Sequence, residues 1–111
     1  MNERGLDALV QAALAGQKQI FGSMNDRRGG LCALGVLAQA AGVLDEPIGH
    51  RFSVIAAAYD LHGARKCPLS ECSRRDPWRM SEAELIVHLN DHHRWDFLTI
   101  ARKLGPEGGT P

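Results

Sequence analysis

The chain has 111 residues, 44% of them hydrophobic, and its 13 Lys and Arg balance 13 Asp and Glu to give a formal net charge of zero. This composition excludes a disordered tail, which has few apolar residues and a charge bias. It also argues against a bulk nucleic-acid binder, which needs a positive surplus to neutralise phosphates. The length predicts one domain.

Targeting signals are not evident in the sequence. The longest apolar run, residues 31–44, is interrupted by Gly35, Gln39 and Gly42 and is too short to span a bilayer. The three cysteines are an odd number, which is unusual for a secreted disulfide scaffold. We therefore expect a cytoplasmic protein that does not associate with membranes.

The first half of the chain carries two helical patterns. Apolar residues at helical spacing predict an amphipathic helix over 6–14 that stops at Gly16. Residues 17–30 read as extended chain entering a turn, and they allow one short β-hairpin near residues 18–32. The stretch 31–41 is apolar on nearly all sides, which is typical of a buried helix at the centre of a core.

The second half predicts three further helices. Ser53 is expected to cap a helix that ends at Gly63, and Ser81 and Glu84 form a capping box for the next one. Asp96 is expected to cap the last helix. The predicted fold is therefore mainly α, a compact single-domain bundle of about five helices over residues 1–104, with a flexible tail at 105–111.

One constellation has the composition of a metal site. Cys67 and Cys72 are separated by four residues, and after fifteen more come His88 and His92, which share one helix face at i and i+4. Two cysteines and two histidines are the ligands of tetrahedral structural zinc. These four residues predict a possible zinc-stabilised module, and the alternative is that the cysteines are ordinary loop thiols.

A second hypothesis makes Cys32 a nucleophile. Cys32 follows two glycines and opens a helix, where backbone N–H groups stabilise a thiolate. His88 is the candidate base of such a thiol-dependent hydrolase, with Asn90 or His92 as a further partner. The competing interpretation is that Cys32 is a small buried core residue.

Nucleic-acid binding receives little support. The helix that starts near Phe97 resembles the first helix of a helix-turn-helix motif, but the residues after it offer no recognition helix. A second, weaker hypothesis is that a patch of basic side chains contacts phosphates or a partner protein. Its basic residues are Arg65, Lys66, Arg74, Arg75 and Arg79.

The sequence Asn90-Asp91 follows a predicted helix and precedes another. Asn tolerates left-handed backbone, and the Asp side chain accepts hydrogen bonds from neighbouring N–H groups. We therefore predict that Asn90 and Asp91 form a structural turn that fixes the angle between the last two helices.

Four segments together resemble a group of small uncharacterised phage and bacterial proteins. They are residues 13–19, the Cys-x-Leu-Gly-Val-Leu segment within 31–37, the Leu-Asn-Asp of 89–91, and the Phe-x-x-Ile-Ala helix within 95–101. Many of those proteins have a second cysteine where this chain has Ala33. The resemblance implies a mobile-element origin and one compact domain, and it implies no activity.

The leading functional hypothesis is a non-enzymatic interaction module. We expect a protein partner, and a homodimer would hide apolar surface that the helices leave over. The zinc-stabilised module and the thiol-dependent hydrolase are the alternatives from other functional classes.

Overall fold

The computed structural model describes residues 1–69, 72 and 80–104 and confirms a mainly α fold. Its helices are α1 (Glu3–Leu14), α2 (Ala33–Ala40), α3 (Ile48–Tyr59), α4 (Glu82–Asp91) and α5 (Phe97–Leu104). Two short strands, β1 (Ala64–Arg65) and β2 (Met80–Ser81), pair antiparallel. The predicted tail at 105–111 lies outside the described residues.

The apolar helix α2 lies at the centre of the core, as its composition predicts. It packs against α1, α3 and α4, and its buried residues run from Ala33 to Ala38. Gly35 allows a close approach, because a Cβ there would lie 2.1 Å from the carbonyl oxygen of Met24. The helix ends before Gly42, whose φ of 75° is accessible to glycine at little cost.

Side-chain caps begin the two C-terminal helices as predicted. Ser81 Oγ accepts a bond from the Glu84 N–H at 3.2 Å while the Glu84 carboxylate accepts one from the Ser81 N–H at 3.1 Å. Asp96 Oδ1 accepts from the Thr99 N–H at 2.8 Å. The Thr99 side chain and backbone both bond this carboxylate, which lowers the pKa of Asp96.

The third helix differs from its predicted position. It begins at Ile48, directly after Pro47, and therefore Ser53 lies inside the helix instead of capping it. It ends at Tyr59, and the next residue, Asp60, has a φ of 55° that reverses the chain before Gly63 is reached. Pro47 explains the earlier start, since proline is tolerated at helix N-termini and its fixed φ suits that position.

The hairpin expected near residues 18–32 is not a pair of continuous strands. Leu31 makes two isolated bridges, a parallel one with Gln19 and an antiparallel one with Asn25. Asp26 Oδ1 accepts N–H bonds from Arg28 at 2.9 Å and Gly30 at 2.7 Å, so a side chain organises the turn. The chain therefore folds here as a compact loop against the start of α2.

None of the helices in the described part of the chain has the length and apolar character needed to cross a bilayer. The buried apolar side chains form one core to which all five helices contribute.

Candidate metal centre

Four metal-binding side chains converge beside the C-terminal end of α4. They are Cys67, Cys72, His88 and His93, and their ligand atoms all lie within 4.8 Å of one another. Cys67 Sγ is 3.3 Å from His93 Nε2, and Cys72 Sγ is 3.4 Å from His88 Nε2. Cys67 and His88 are buried, whereas Cys72 and His93 are half-buried.

The local structure brings these residues together from two parts of the chain. β1 pairs with β2, which leads directly into α4, so Cys67 follows a strand that is anchored beside this helix. His88 lies in the last turn of α4. The strand pair therefore fixes one thiol close to the imidazole of the helix.

The second histidine of the cluster is His93, and His92, which was predicted in this role, does not belong to it. His92 N–H and His93 N–H both donate to the His88 carbonyl, at 2.9 and 3.3 Å, so the helix widens at its end. With this widening, the imidazole of His93, five positions after His88, joins the cluster. His92 is exposed, and its ring stacks on that of His88 with centroids 5.0 Å apart.

The turn after α4 is completed by a residue in left-handed conformation. Arg94 has a φ of 54°, and its guanidinium lies 4.7 Å from the ring centroid of Phe21. The Trp95 N–H then donates to the Leu89 carbonyl at 3.1 Å. This reversal holds His93 against the cluster and explains why regular helical spacing misplaces the ligand.

The donor set and its dimensions suit tetrahedral zinc. Ideal Zn–S and Zn–N bonds of about 2.3 and 2.0–2.1 Å place neighbouring ligand atoms roughly 3.3–3.8 Å apart. The two Cys–His contacts, at 3.3 and 3.4 Å, lie in this range, whereas the full set of ligand atoms spans up to 4.8 Å, a separation that zinc binding would have to shorten. Two thiolates and two neutral imidazoles would also balance the charge of a divalent cation, which favours a partly buried site.

The protonation state of His93 favours metal binding. Burial lowers the pKa of His93, and the neighbouring His92 lowers that pKa further. Both effects stabilise the neutral imidazole, which is the form that donates a lone pair to a metal.

Asn90 organises the turn that carries the histidines, and it is fully buried. Its Nδ2 donates to the Ile20 carbonyl at 3.0 Å and to Asp91 Oδ1 at 2.7 Å. Its Oδ1 accepts from Gln19 Nε2 at 2.8 Å and from the Ala33 N–H at 3.1 Å. This side chain thus joins α4 to the N-terminus of α2.

Asn90 and Asp91 have a structural role, but it differs from the predicted turn between the last two helices. Both residues belong to the last turn of α4, and the reversal of the chain follows them. Asp91 Oδ1 accepts from the Gly22 N–H at 3.0 Å. The pair fixes the loop before α2 against α4, rather than acting as the turn between the last two helices.

Cys32 has the environment of a core residue. It is the N-cap of α2, and its Sγ accepts from the Gly35 N–H at 3.4 Å. Burial raises the pKa of the Cys32 thiol despite the backbone N–H groups that lower it. The proposed base, His88, contacts Cys72 instead. This geometry does not favour a nucleophilic role for Cys32.

The predicted basic patch is described only in part. Arg65 lies in β1 and Lys66 follows it, next to Cys67 of the cluster. Arg74, Arg75 and Arg79 lie outside the described residues.

Comparison of the chain with protein-family models, curated proteins and solved structures gave no match.

Proposed function

We propose that the protein is a zinc-stabilised, non-enzymatic interaction module. The observation that carries this proposal is the convergence of Cys67, Cys72, His88 and His93 within 4.8 Å. In this function Zn²⁺ is a structural element, and the helical surface around it binds a protein partner.

The choice of zinc follows from the ligands. Thiolate and imidazole together select zinc over magnesium or calcium, which prefer oxygen ligands. Four protein ligands complete a tetrahedral shell and leave no position for water or substrate, which is the pattern of structural rather than catalytic zinc. This argument favours binding over catalysis.

The position of the site explains what the metal would stabilise. The cysteines lie in the connection between β1 and β2, and β2 leads directly into α4. A zinc ion would tie this connection to the end of α4. Because a ligand that binds only the folded state stabilises it, zinc at about a hundredfold excess over Kd would add about 2.7 kcal/mol to the free energy of unfolding.

Native mass spectrometry with thermal melting tests this function. We expect one zinc per chain and a lower Tm after treatment with a chelator. His93→Ala removes one of four ligands, so it should reduce zinc affinity by at least the roughly 10–100-fold that the loss of an outer-shell partner costs. The matched control is His92→Ala, which removes the adjacent exposed imidazole and should leave zinc stoichiometry unchanged.

The cysteines offer a second matched comparison. Cys67→Ser and Cys72→Ser each leave one thiolate and should each weaken the thiolate-to-cobalt charge-transfer absorption, whereas Cys32→Ser should preserve the Co²⁺ spectrum. If the purified protein binds neither zinc nor cobalt, and the chelator leaves Tm unchanged, the proposal is refuted. Equal loss of zinc in the His92 and His93 variants would refute the assigned ligand set.

A further inference from the structure

A groove runs between α3 and α4, with α2 packed against both helices. It consists of two cavities of about 460 and 180 Å³ that share Phe52, Val87 and Asp91 as lining residues. Ile48 and Phe52 of α3 are 59% and 36% exposed although both are large and apolar. Within the described part of the chain, the groove is therefore an extended surface with exposed apolar side chains.

The walls of the groove repeat with helical spacing. Ile48 and Phe52 are four residues apart on α3, and Val87 and Asp91 are four residues apart on α4. A groove lined by two helices is a shape into which an amphipathic helix can lay its apolar residues at i, i+3, i+4 and i+7. The shape thus favours a helical segment as the occupant.

The charge of the groove selects among such helices. Among its lining residues in the described part of the chain, those with a formal charge are Glu84 and Asp91, and both are acidic. Oε1 of Glu84 accepts a hydrogen bond from the Ser81 N–H, and Oδ1 of Asp91 accepts bonds from the Gly22 N–H and from Asn90 Nδ2. The second oxygen of each carboxylate takes no part in these three bonds. Complementary charge attracts the right partner and excludes acidic ones.

We infer that the α3–α4 groove binds an amphipathic helix of a partner protein that carries Lys or Arg beside its apolar face. This inference deepens the proposed interaction function and rests on it. Apolar side chains of the partner would occupy the space beside Phe52 and Val87, and its basic residues would pair with Glu84 and Asp91. His88 also lines the groove, so the candidate zinc site forms part of the same wall.

Fluorescence anisotropy with two synthetic helices tests the inference. The first peptide has leucines at i, i+3, i+4 and i+7 flanked by lysines, and the second has glutamates in place of the lysines. We expect the lysine peptide to bind the zinc-loaded protein at least about tenfold more tightly. Phe52→Ala should weaken its binding about tenfold, as loss of a central aromatic anchor does.

Two variants serve as controls. Leu98→Ala removes a large apolar side chain of similar exposure, 37%, from α5 and should not change peptide affinity. Glu84→Gln keeps the capping box, because glutamine also serves at that position, and should weaken only the lysine peptide. Circular dichroism of every variant verifies that the fold is kept.

Four outcomes of these experiments would overturn the inference. Equal affinity for both peptides, equal loss in the Phe52 and Leu98 variants, or failure to bind either peptide would overturn the inference. A concentration-dependent homodimer that Phe52→Ala dissociates would overturn it too, since a second copy of the chain would then be the occupant. Zinc content, measured in parallel, separates the proposals: zinc without peptide binding refutes the groove alone, and peptide binding without zinc refutes the metal alone.

Discussion

Asn90→Asp is the sharpest test of how the fold is held together. The substitution preserves size and replaces Nδ2 by an oxygen that can no longer donate. That atom position lies 3.0 Å from the Ile20 carbonyl oxygen and 2.7 Å from Asp91 Oδ1. Two donated hydrogen bonds therefore become contacts between acceptors, one of them between two carboxylates.

The cost follows from burial. Asn90 is 0% exposed, so water cannot replace the lost bonds. Each unsatisfied buried group costs about 1–3 kcal/mol, and the unpaired carboxylate adds to this, so we expect a loss of about 3–5 kcal/mol. For a domain of this size the Tm should fall by roughly 12–20 °C.

The pH dependence identifies the cause. Burial beside Asp91 raises the pKa of the introduced carboxyl in the folded state above its unfolded value of about 3.9. Its protonated form can donate a hydrogen bond again, so the penalty should be small below the unfolded pKa and grow as pH rises through the folded pKa. Urea unfolding followed by circular dichroism at pH 4 and pH 7 measures both effects.

Asn25→Asp is the matched control, because it makes the same chemical change on an exposed side chain. It should alter stability by less than about 0.5 kcal/mol. If Asn90→Asp is as stable as the control at pH 7, the assigned network of four hydrogen bonds is wrong.

Two further predictions concern Cys32 and Asp96. Burial and a raised pKa should keep Cys32 unlabelled by iodoacetamide in the folded protein, and rapid stoichiometric labelling detected by peptide mass spectrometry would instead revive the nucleophile hypothesis. Asp96→Ala should cost about 1 kcal/mol in urea unfolding at pH 7 because the bond to the Thr99 N–H is lost. The pKa of Asp96 is lowered in the folded state, so the stability that its carboxylate contributes is full above the unfolded pKa and is lost as pH falls through the folded pKa. The difference in stability between wild type and variant should therefore vanish at low pH. A difference that does not depend on pH would contradict the cap.

Local signals predicted much of the fold. The capping box at Ser81, the cap at Asp96 and the buried character of α2 all follow from neighbouring residues, and the structure confirms them. The start of α3 was predicted too late because Ser53 is a good cap in isolation, whereas the helix begins at Ile48, directly after Pro47.

The candidate metal site was predicted in three of its four residues. Cys67, Cys72 and His88 were identified from residue type and spacing, which is local information. His93 was missed because the i, i+4 rule assumes a regular helix, and the widened end of α4 is set by the reversal at Arg94. The adjacent pair His92-His93 was the one sequence signal that could have kept both candidates open.

Hydrogen-bond partners that are distant in the sequence cannot be predicted from local patterns. The bonds of Asn90 join it to Gln19 and Ala33, which are 71 and 57 positions away, and no local pattern encodes them. The mobile-element origin suggested by resemblance, the homodimer and the identity of the partner stay predictions.

The last turn of α4 also bears on the order of folding. Two closures meet there: Cys72 reaches His88 over 16 positions, and Gln19 reaches Asn90 over 71. The entropy cost of closing a loop grows with the logarithm of its length, so the shorter loop is the cheaper one to close by about 1.3 kcal/mol. Chain entropy therefore favours joining the cysteine-bearing connection to α4 first, which would present Asn90 on an already ordered turn to the distant N-terminal half.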